Sequence, residues 1–162
     1  MKKTIIFLLG VVCLLCSITS TPLLAEASDT TASSTIEMLD NGYYYEIIIE
    51  DNETPVSIVP RATTQYVTKT KTTQLKNSSG TVLWSVSIKA TFSYDGTTSK
   101  CTSCTPSATA YASSWAIKNV SSSKSGNSAT ATAVATHTVI FGITQDTTKS
   151  VTIKCSATGV VS

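Results

Sequence analysis

One stretch of thirteen residues, from Val82 to Tyr94, constrains the fold more than any other part of the sequence. Apolar and aromatic side chains alternate there with serine, threonine and lysine. The apolar series is Val82, Trp84, Val86, Ile88, Ala90, Phe92 and Tyr94. Because successive side chains of a strand point to opposite faces, this alternation predicts one long β-strand with a buried face and a solvated face.

Turn residues and further strand-like segments follow on both sides of this strand. The segments rich in β-branched and small residues are 66–76, 108–112, 115–120, 128–141 and 148–155. Turn residues at 77–80, 95–96, 123–127 and 142–146 separate them. The spacing predicts an all-β, immunoglobulin-like antiparallel two-sheet sandwich of about six or seven strands, with an open barrel as the alternative.

The first 27 residues have the layout of a secretory signal peptide. Lys2 and Lys3 precede an apolar run over 5–15, and Ala25-Glu26-Ala27 supplies a small-x-small cleavage site. The run is shorter than a membrane-spanning helix needs. We therefore expect cleavage after Ala27 and a secreted protein without a stable membrane anchor.

Charge divides the remaining chain sharply. Residues 28–60 carry seven acidic side chains and no Lys or Arg, whereas residues 61–162 carry ten Lys and Arg and only two acids. This division predicts an acidic, partly disordered segment or propeptide over 28–60 and a basic β-sandwich domain over 61–162. In the proprotein hypothesis, the acidic segment covers the basic domain until cleavage near Arg61 releases an antimicrobial or toxin-like effector.

Four lysines form the candidate binding surface of the basic domain. They are Lys69, Lys71, Lys76 and Lys89, on strands expected to be neighbours. Such a surface could bind an anionic cell-wall polymer or glycan. The alternative is a solvated face whose lysines protect an edge strand. Nucleic acid is not expected as a partner, because these faces lack interleaved aromatic residues.

Catalytic residues are scarce. His137 is the lone histidine of the chain, and Asp95 and Asp146 are the only acids of the basic domain. The sequence contains neither a strand-turn-helix nucleophile elbow nor a phosphate-cradling glycine loop. We therefore expect a non-enzymatic protein without a cofactor, with a hydrolase using His137 as the remaining alternative.

The cysteines and the histidine raise the possibility of a zinc site. The only soft ligands after residue 27 are Cys101, Cys104, His137 and Cys155. Four ligands would suffice, but a structural zinc site normally has two closely spaced pairs, and His137 and Cys155 are far apart. We expect no bound metal.

The three cysteines after the signal peptide predict one disulfide and one thiol. Cys155 shares a strand face with Val151 and Ile153 and is expected in the core. In an extended strand, residues three apart point to opposite faces, so Cys101 and Cys104 cannot both point toward Cys155. This geometry does not choose which of the two forms the bond.

Several segments resemble a family of small, functionally uncharacterised exported proteins of Gram-positive bacteria. The similar segments are KNSSGTVLWSV at 76–86, TFSY at 91–94, SW at 114–115, KSGN at 124–127, VTIKC at 151–155 and GYYYE at 42–46. The resemblance covers most of 66–162 and implies an exported β-sandwich with a Cys101–Cys155 disulfide. Cys104 departs from the family pattern, so we expect a free thiol there, able to link two copies as a dimer. The resemblance implies no activity.

Overall fold

The computed structural model of this 162-residue chain describes residues 33–51, 64–139 and 142–162. The predicted signal peptide, its cleavage site after Ala27 and the processing site at Arg61 lie outside the described residues. Within the described ranges, no helix is long and apolar enough to cross a membrane.

Eight strands in two antiparallel sheets make up the described parts of the chain, which confirms the predicted all-β two-sheet fold. The strands are β1 (Ser33–Met38), β2 (Tyr44–Asp51), β3 (Gln65–Lys76), β4 (Val82–Tyr94), β5 (Ser99–Ala110), β6 (Trp115–Ser125), β7 (Ser128–Thr138) and β8 (Thr144–Lys154). The first sheet has the order β1-β2-β3-β4-β5, and the second has the order β6-β7-β8. Each sheet is therefore a meander, and the chain changes sheet between β5 and β6.

The core lies between the predicted face of β4 and the facing side of the second sheet. Trp84, Val86, Ile88, Ala90 and Phe92 are almost completely buried, which confirms the predicted core face. The opposite face is less solvated than predicted, because Leu83 and Ser85 are buried as well. Four alanines of β7 are equally buried, namely Ala129, Ala131, Ala133 and Ala135. Small side chains on β7 let the sheets approach closely, and the large side chains of β4 fill the space between them.

The acidic segment contributes two strands to the first sheet. β2 pairs with β3 along Tyr44–Asp51, and β1 pairs with β2 along its whole length. Two ion pairs join acids of these strands to lysines of the basic part, Glu46 to Lys76 and Glu37 to Lys149. Residues 33–51 thus extend the sheet of the basic part, while the predicted boundary at 60 lies outside the described residues.

Candidate functional site

A pocket of about 130 Å³ lies where the turn between β1 and β2 meets the ends of β6, β7 and β8. Its lining residues are Leu39, Asn41, Tyr43, Tyr45, Leu75, Trp115, His137, Gln145 and Thr147. Tyr45, Leu75 and Trp115 are buried and form the floor, whereas Asn41 and Gln145 are exposed and lie at the mouth. Residues from both the acidic segment and the basic part of the chain therefore line this pocket.

Strand register brings the lining residues together. In the first sheet, Tyr45 pairs with Leu75, which in turn pairs with Trp84. In the second sheet, Trp115 pairs with His137, which pairs with Gln145. Directly paired side chains lie on the same face of a sheet, so each sheet presents one row of rings and polar groups to the pocket end of the sandwich.

Three aromatic rings stack along this end. The ring centroids of Trp84 and Trp115 are 6.1 Å apart, with an interplanar angle of 27°. Those of Trp115 and His137 are 4.6 Å apart and nearly parallel, at 9°. Such stacking holds each ring in one orientation. The only histidine of the chain is thus a half-buried flat ring at the pocket.

The turn between β1 and β2 is held by its own hydrogen bonds. The backbone N–H of Leu39 donates to the carbonyl of Tyr43 at 2.8 Å, and the N–H of Tyr43 donates to Oδ1 of Asn41 at 3.1 Å. Gly42 has a φ of +78°, a left-handed conformation that glycine adopts without strain. These bonds fix Asn41 and Tyr43 at the pocket before any ligand is present.

Lys149 of β8 connects the two sheets beside the pocket. Its Nζ lies 2.9 Å from Oε2 of Glu37 and 3.8 Å from the ring centroid of Tyr45. Burial raises the pKa of Tyr45, and the charge of Glu37 raises it further. Tyr45 therefore stays neutral under physiological conditions and can act as a hydroxyl donor or acceptor.

The polar groups that line the pocket are uncharged amides, hydroxyls and an imidazole. Asn41, Gln145 and Thr147 supply donors and acceptors, and the lining contains no Lys, Arg, Asp or Glu side chain. Aromatic rings and the side chains of Leu39 and Leu75 supply the remaining surface. This combination suits an uncharged ligand with an apolar face and several hydroxyl groups.

The structure does not bring the four candidate lysines together. Lys69 and Lys71 pair with Ala90 and Ile88, on the core-facing side of the first sheet, and burial lowers the pKa of Lys71. Lys89 points to the opposite side and is exposed. Lys76 is paired with Glu46. The predicted basic surface is therefore divided between two faces of one sheet.

Neither acid of the basic part lies beside His137. Asp146 accepts hydrogen bonds from Lys118 and Thr136, both at 2.7 Å, on the strand face opposite His137, and the Lys118 bond is the main cause of its lowered pKa. Asp95 lies at the other end of β4, where hydrogen bonds from Thr97 and, above all, Thr98 lower its pKa.

Metal ligands are likewise dispersed in the described ranges. No three of their His, Cys, Asp and Glu side chains are grouped in a way that could hold a metal ion. His137 lies in the aromatic stack at the pocket, whereas Cys101 and Cys155 both contact the turn that joins β6 to β7. The four candidate zinc ligands are thus divided between two ends of the sandwich.

Cys101, Cys104 and Cys155 are all free thiols in the structure, so the expected Cys101–Cys155 bond is not formed there. The prediction that Cys101 and Cys104 face opposite sides is wrong. A β-bulge leaves Thr102 without a partner, and Cys101 then pairs with Phe92 while Cys104 pairs with Ala90. Phe92 and Ala90 both face the core, so both thiols share that face.

Sequence reasoning missed the pocket because its walls come from both charge regions. The run Tyr43-Tyr44-Tyr45 and the pair Trp115 and His137 were the available signals, since exposed or half-exposed rings commonly mark binding sites. Their convergence depends on strand register, which the sequence pattern did not reveal.

Comparison of the chain with models of protein families, with curated proteins and with solved structures finds no match. The resemblance to exported Gram-positive proteins therefore stays a prediction. The function has to be inferred from the chemistry of the pocket itself.

Proposed function

We propose that the chain is an exported, non-enzymatic β-sandwich protein that binds a neutral sugar residue of a surface glycan in this pocket. The observation that carries the proposal is the lining, in which aromatic rings occur together with uncharged amides and hydroxyls. A sugar ring presents C–H groups on its faces and hydroxyl groups around its edge. Rings and amides placed together match both kinds of surface.

The size of the pocket limits the ligand to one sugar unit. A cavity of about 150 Å³ holds one benzene ring, which is smaller than a sugar ring with its hydroxyl groups, whereas pockets for drug-sized ligands start at about 300 Å³. The observed volume of 130 Å³ therefore suits the insertion of part of a single sugar unit, with its remaining hydroxyl groups at the mouth. The proposed ligand is therefore the terminal unit or a side branch of a glycan.

The uncharged lining favours a neutral glycan over an anionic polymer. Lys149, which lies over the ring of the lining residue Tyr45, is already paired with Glu37. The lysines that could have formed a basic surface are divided between two faces. We therefore expect binding that is insensitive to salt, because no Lys, Arg, Asp or Glu side chain lines the pocket.

The test is a titration of the full-length chain with neutral and acidic monosaccharides and short oligosaccharides. Calorimetry and NMR measure the binding. His137→Ala removes a ring from the pocket and should weaken binding by about tenfold, the effect of losing about 1.4 kcal/mol. Lys89→Ala, on the opposite face of the first sheet, should leave the affinity unchanged. No binding of any neutral sugar, or binding that falls steeply with salt, would contradict the proposal.

The proprotein hypothesis remains the second candidate, and the ion pairs favour it. Glu46–Lys76 and Glu37–Lys149 attach the acid-bearing strands β1 and β2 to the basic part. After cleavage near Arg61, these strands would stay bound until they were displaced. Their loss would also remove Asn41, Tyr43 and Tyr45 from the pocket.

Sugar binding requires residues 28–60 to stay in the functional protein, whereas the proprotein hypothesis requires their removal. Mass spectrometry of the functional protein decides between them through its N-terminus. An N-terminus at Ser28 supports sugar binding and excludes the proprotein. An N-terminus just after Arg61 supports the proprotein and leaves the pocket without one wall.

A further inference from the structure

The β-bulge in β5 places two thiols next to each other on one face of the strand. Thr91 pairs with Ser103 and Phe92 pairs with Cys101, which leaves Thr102 as the extra residue. A bulge bends the strand and shifts the alternation of side chains by one position. Cys101 and Cys104 are therefore successive residues on the core-facing side.

The thiol of Cys101 interacts with the thiol of Cys104. Sγ of Cys101 donates to the carbonyl of Ser103 at 3.3 Å, so this thiol points along the strand toward Cys104. After burial, the charge of Cys104 is the next cause that raises the pKa of Cys101, and a hydrogen bond between the two thiols adds to it.

Cys155 belongs to a different local structure. Its Sγ donates to the carbonyl of the adjacent Ser156 at 3.3 Å, within its own turn. Burial alone raises its pKa, and neither of the other thiols contributes. Cys155 is thus buried near the same end of the sandwich, and its thiol is directed to its own turn rather than to β5.

Exposure differs within the coupled pair. Cys101 is only 3% exposed, whereas Cys104 is half-buried and lies 3.8 Å from Oγ of Ser122 on β6. Nζ of Lys124 donates to the carbonyl of Thr102, inside the bulge, and its charge offsets only part of the rise that burial causes in the pKa of Cys101. A reagent from solvent therefore reaches Cys104 first, so Cys104 starts the exchange and the buried Cys101 completes it.

From this geometry we propose that Cys101 and Cys104 form a reversible disulfide by exchange with a low-molecular-weight disulfide, while Cys155 remains a thiol. The Cys104 thiolate attacks the reagent, forms a mixed disulfide and expels one small thiolate. The Cys101 thiolate then attacks Sγ of Cys104 and expels the second. Two S–H bonds are replaced by one S–S bond, and the two electrons and two protons leave in two small thiols.

The test treats the full-length chain with glutathione disulfide, blocks the remaining thiols with N-ethylmaleimide and maps the tryptic peptides. Cys101 and Cys104 fall in one peptide, 101–118, and Cys155 falls in another, 155–162, whereas Cys13 and Cys16 lie in a third that ends at Arg61. We expect peptide 101–118 to be lighter by two hydrogen atoms and unalkylated, with Cys155 alkylated. Reduction should restore two alkylation sites in peptide 101–118.

Three other outcomes would overturn the proposal. Peptides 101–118 and 155–162 joined by a disulfide would mean that Cys101 pairs with Cys155 after all. A dimer of the 101–118 peptide through Cys104 would mean that this thiol links two chains. Glutathione retained on Cys104 would mean that the pair does not close.

Variants distinguish these cases without disturbing the fold greatly. Cys155→Ala should leave the intrapeptide bond intact. Cys104→Ser, at a half-buried position, should abolish it and leave Cys101 reactive only after unfolding. Sugar binding plays no part in this readout, so the two proposals fail independently.

Discussion

The two ends of the space between the sheets are built by the same strand alternation but are filled differently. Toward Phe92, large side chains of β4 pack on alanines of β7, and both sets are almost completely excluded from solvent. Toward Tyr45 and His137, rings and amides from both sheets leave a pocket of about 130 Å³.

The difference arises from what covers each face. Five strands face three, so β1 and β2 extend past β8, the edge strand of the second sheet. There Lys149 reaches across to Glu37 and Tyr45 where another strand would otherwise pack. Alternation makes one face of a strand suitable for burial, and the packing of the partner sheet decides whether that face becomes core or lines a pocket.

The largest expected effect is the loss of a core ring far from the pocket. Phe92→Ala should lower the free energy of unfolding by about 3–5 kcal/mol, because it leaves a cavity in a fully buried site. Urea unfolding measures this change. Sugar affinity of the folded fraction should be unchanged.

Tyr43→Ala is the matched pocket variant. Tyr43 is half-buried and lines the pocket, so its removal should weaken sugar binding while changing stability much less than Phe92→Ala does. If both variants lose affinity and stability in the same proportion, the two ends are not functionally distinct.

The core end is also closed by a glycine against a tyrosine ring. Gly159 has a φ of +86°, and a Cβ there would lie 2.5 Å from Cζ of Tyr94. Gly159→Ala should therefore cost about 2–4 kcal/mol, from the left-handed backbone and from the clash with the ring. Thermal and urea unfolding measure the loss.

Gly96→Ala separates these two causes. Gly96 has nearly the same φ, +87°, but nothing lies within 4 Å of its Cβ position. It should cost only the conformational part, about 1 kcal/mol. Equal losses in both variants would show that Tyr94 moves aside freely.

The core end was predictable from the sequence because its signal is local. The alternation over 82–94 identified Trp84 to Phe92 as buried, and all five positions are core. The odd-numbered alanines of β7 and the face shared by Val151, Ile153 and Cys155 are similar local patterns. Burial of every second residue can be recognised within the sequence of a single strand.

The pocket and the thiol pair depend on relations between strands. Tyr45 meets Trp115 only because residues 33–51 join the sheet of the basic part, whereas the charge division suggested separate regions. Thr102 bulges without a glycine or proline to mark it, so counting residues gave the wrong face for Cys104. Register and bulges come from tertiary packing, which a single strand pattern does not contain.

A smaller effect is expected from the cation that joins the sheets at the pocket end. Lys149→Met removes the ion pair with Glu37 and the cation–π contact with Tyr45 but keeps the length of the side chain. Because Glu37 is 54% exposed, water screens the pair, and the loss should be about 1 kcal/mol. High salt should reduce the difference between this variant and the parent chain.

Lys118→Met is the control, since Lys118 and Asp146 form a more exposed pair on the outer face of the second sheet. It should cause no measurable change in stability. If the two lysine variants behave alike, Lys149 does not hold the pocket end together.

The smallest effect should appear as pH dependence at the pocket end. Burial and Glu37 raise the pKa of Tyr45 above its ordinary value of 10.0, so the folded chain keeps this proton when the unfolded chain has lost it. The stabilisation is therefore present below about pH 10 and is lost as pH rises through the folded-state pKa. Tyr45→Phe should make the alkaline loss of stability less steep, as measured by urea unfolding at stepped pH.

Two comparisons make that slope interpretable. Burial also raises the pKa of Cys101 and Cys155 from 9.0, so part of the alkaline loss comes from the core end and should persist in Tyr45→Phe. Tyr111→Phe removes a hydroxyl from a tyrosine that is 59% exposed and should keep the parental slope. If stability falls equally steeply with alkaline pH in Tyr45→Phe and in Tyr111→Phe, water reaches Tyr45 as readily as it reaches the surface. The two ends of the sandwich would then differ only in how their side chains pack.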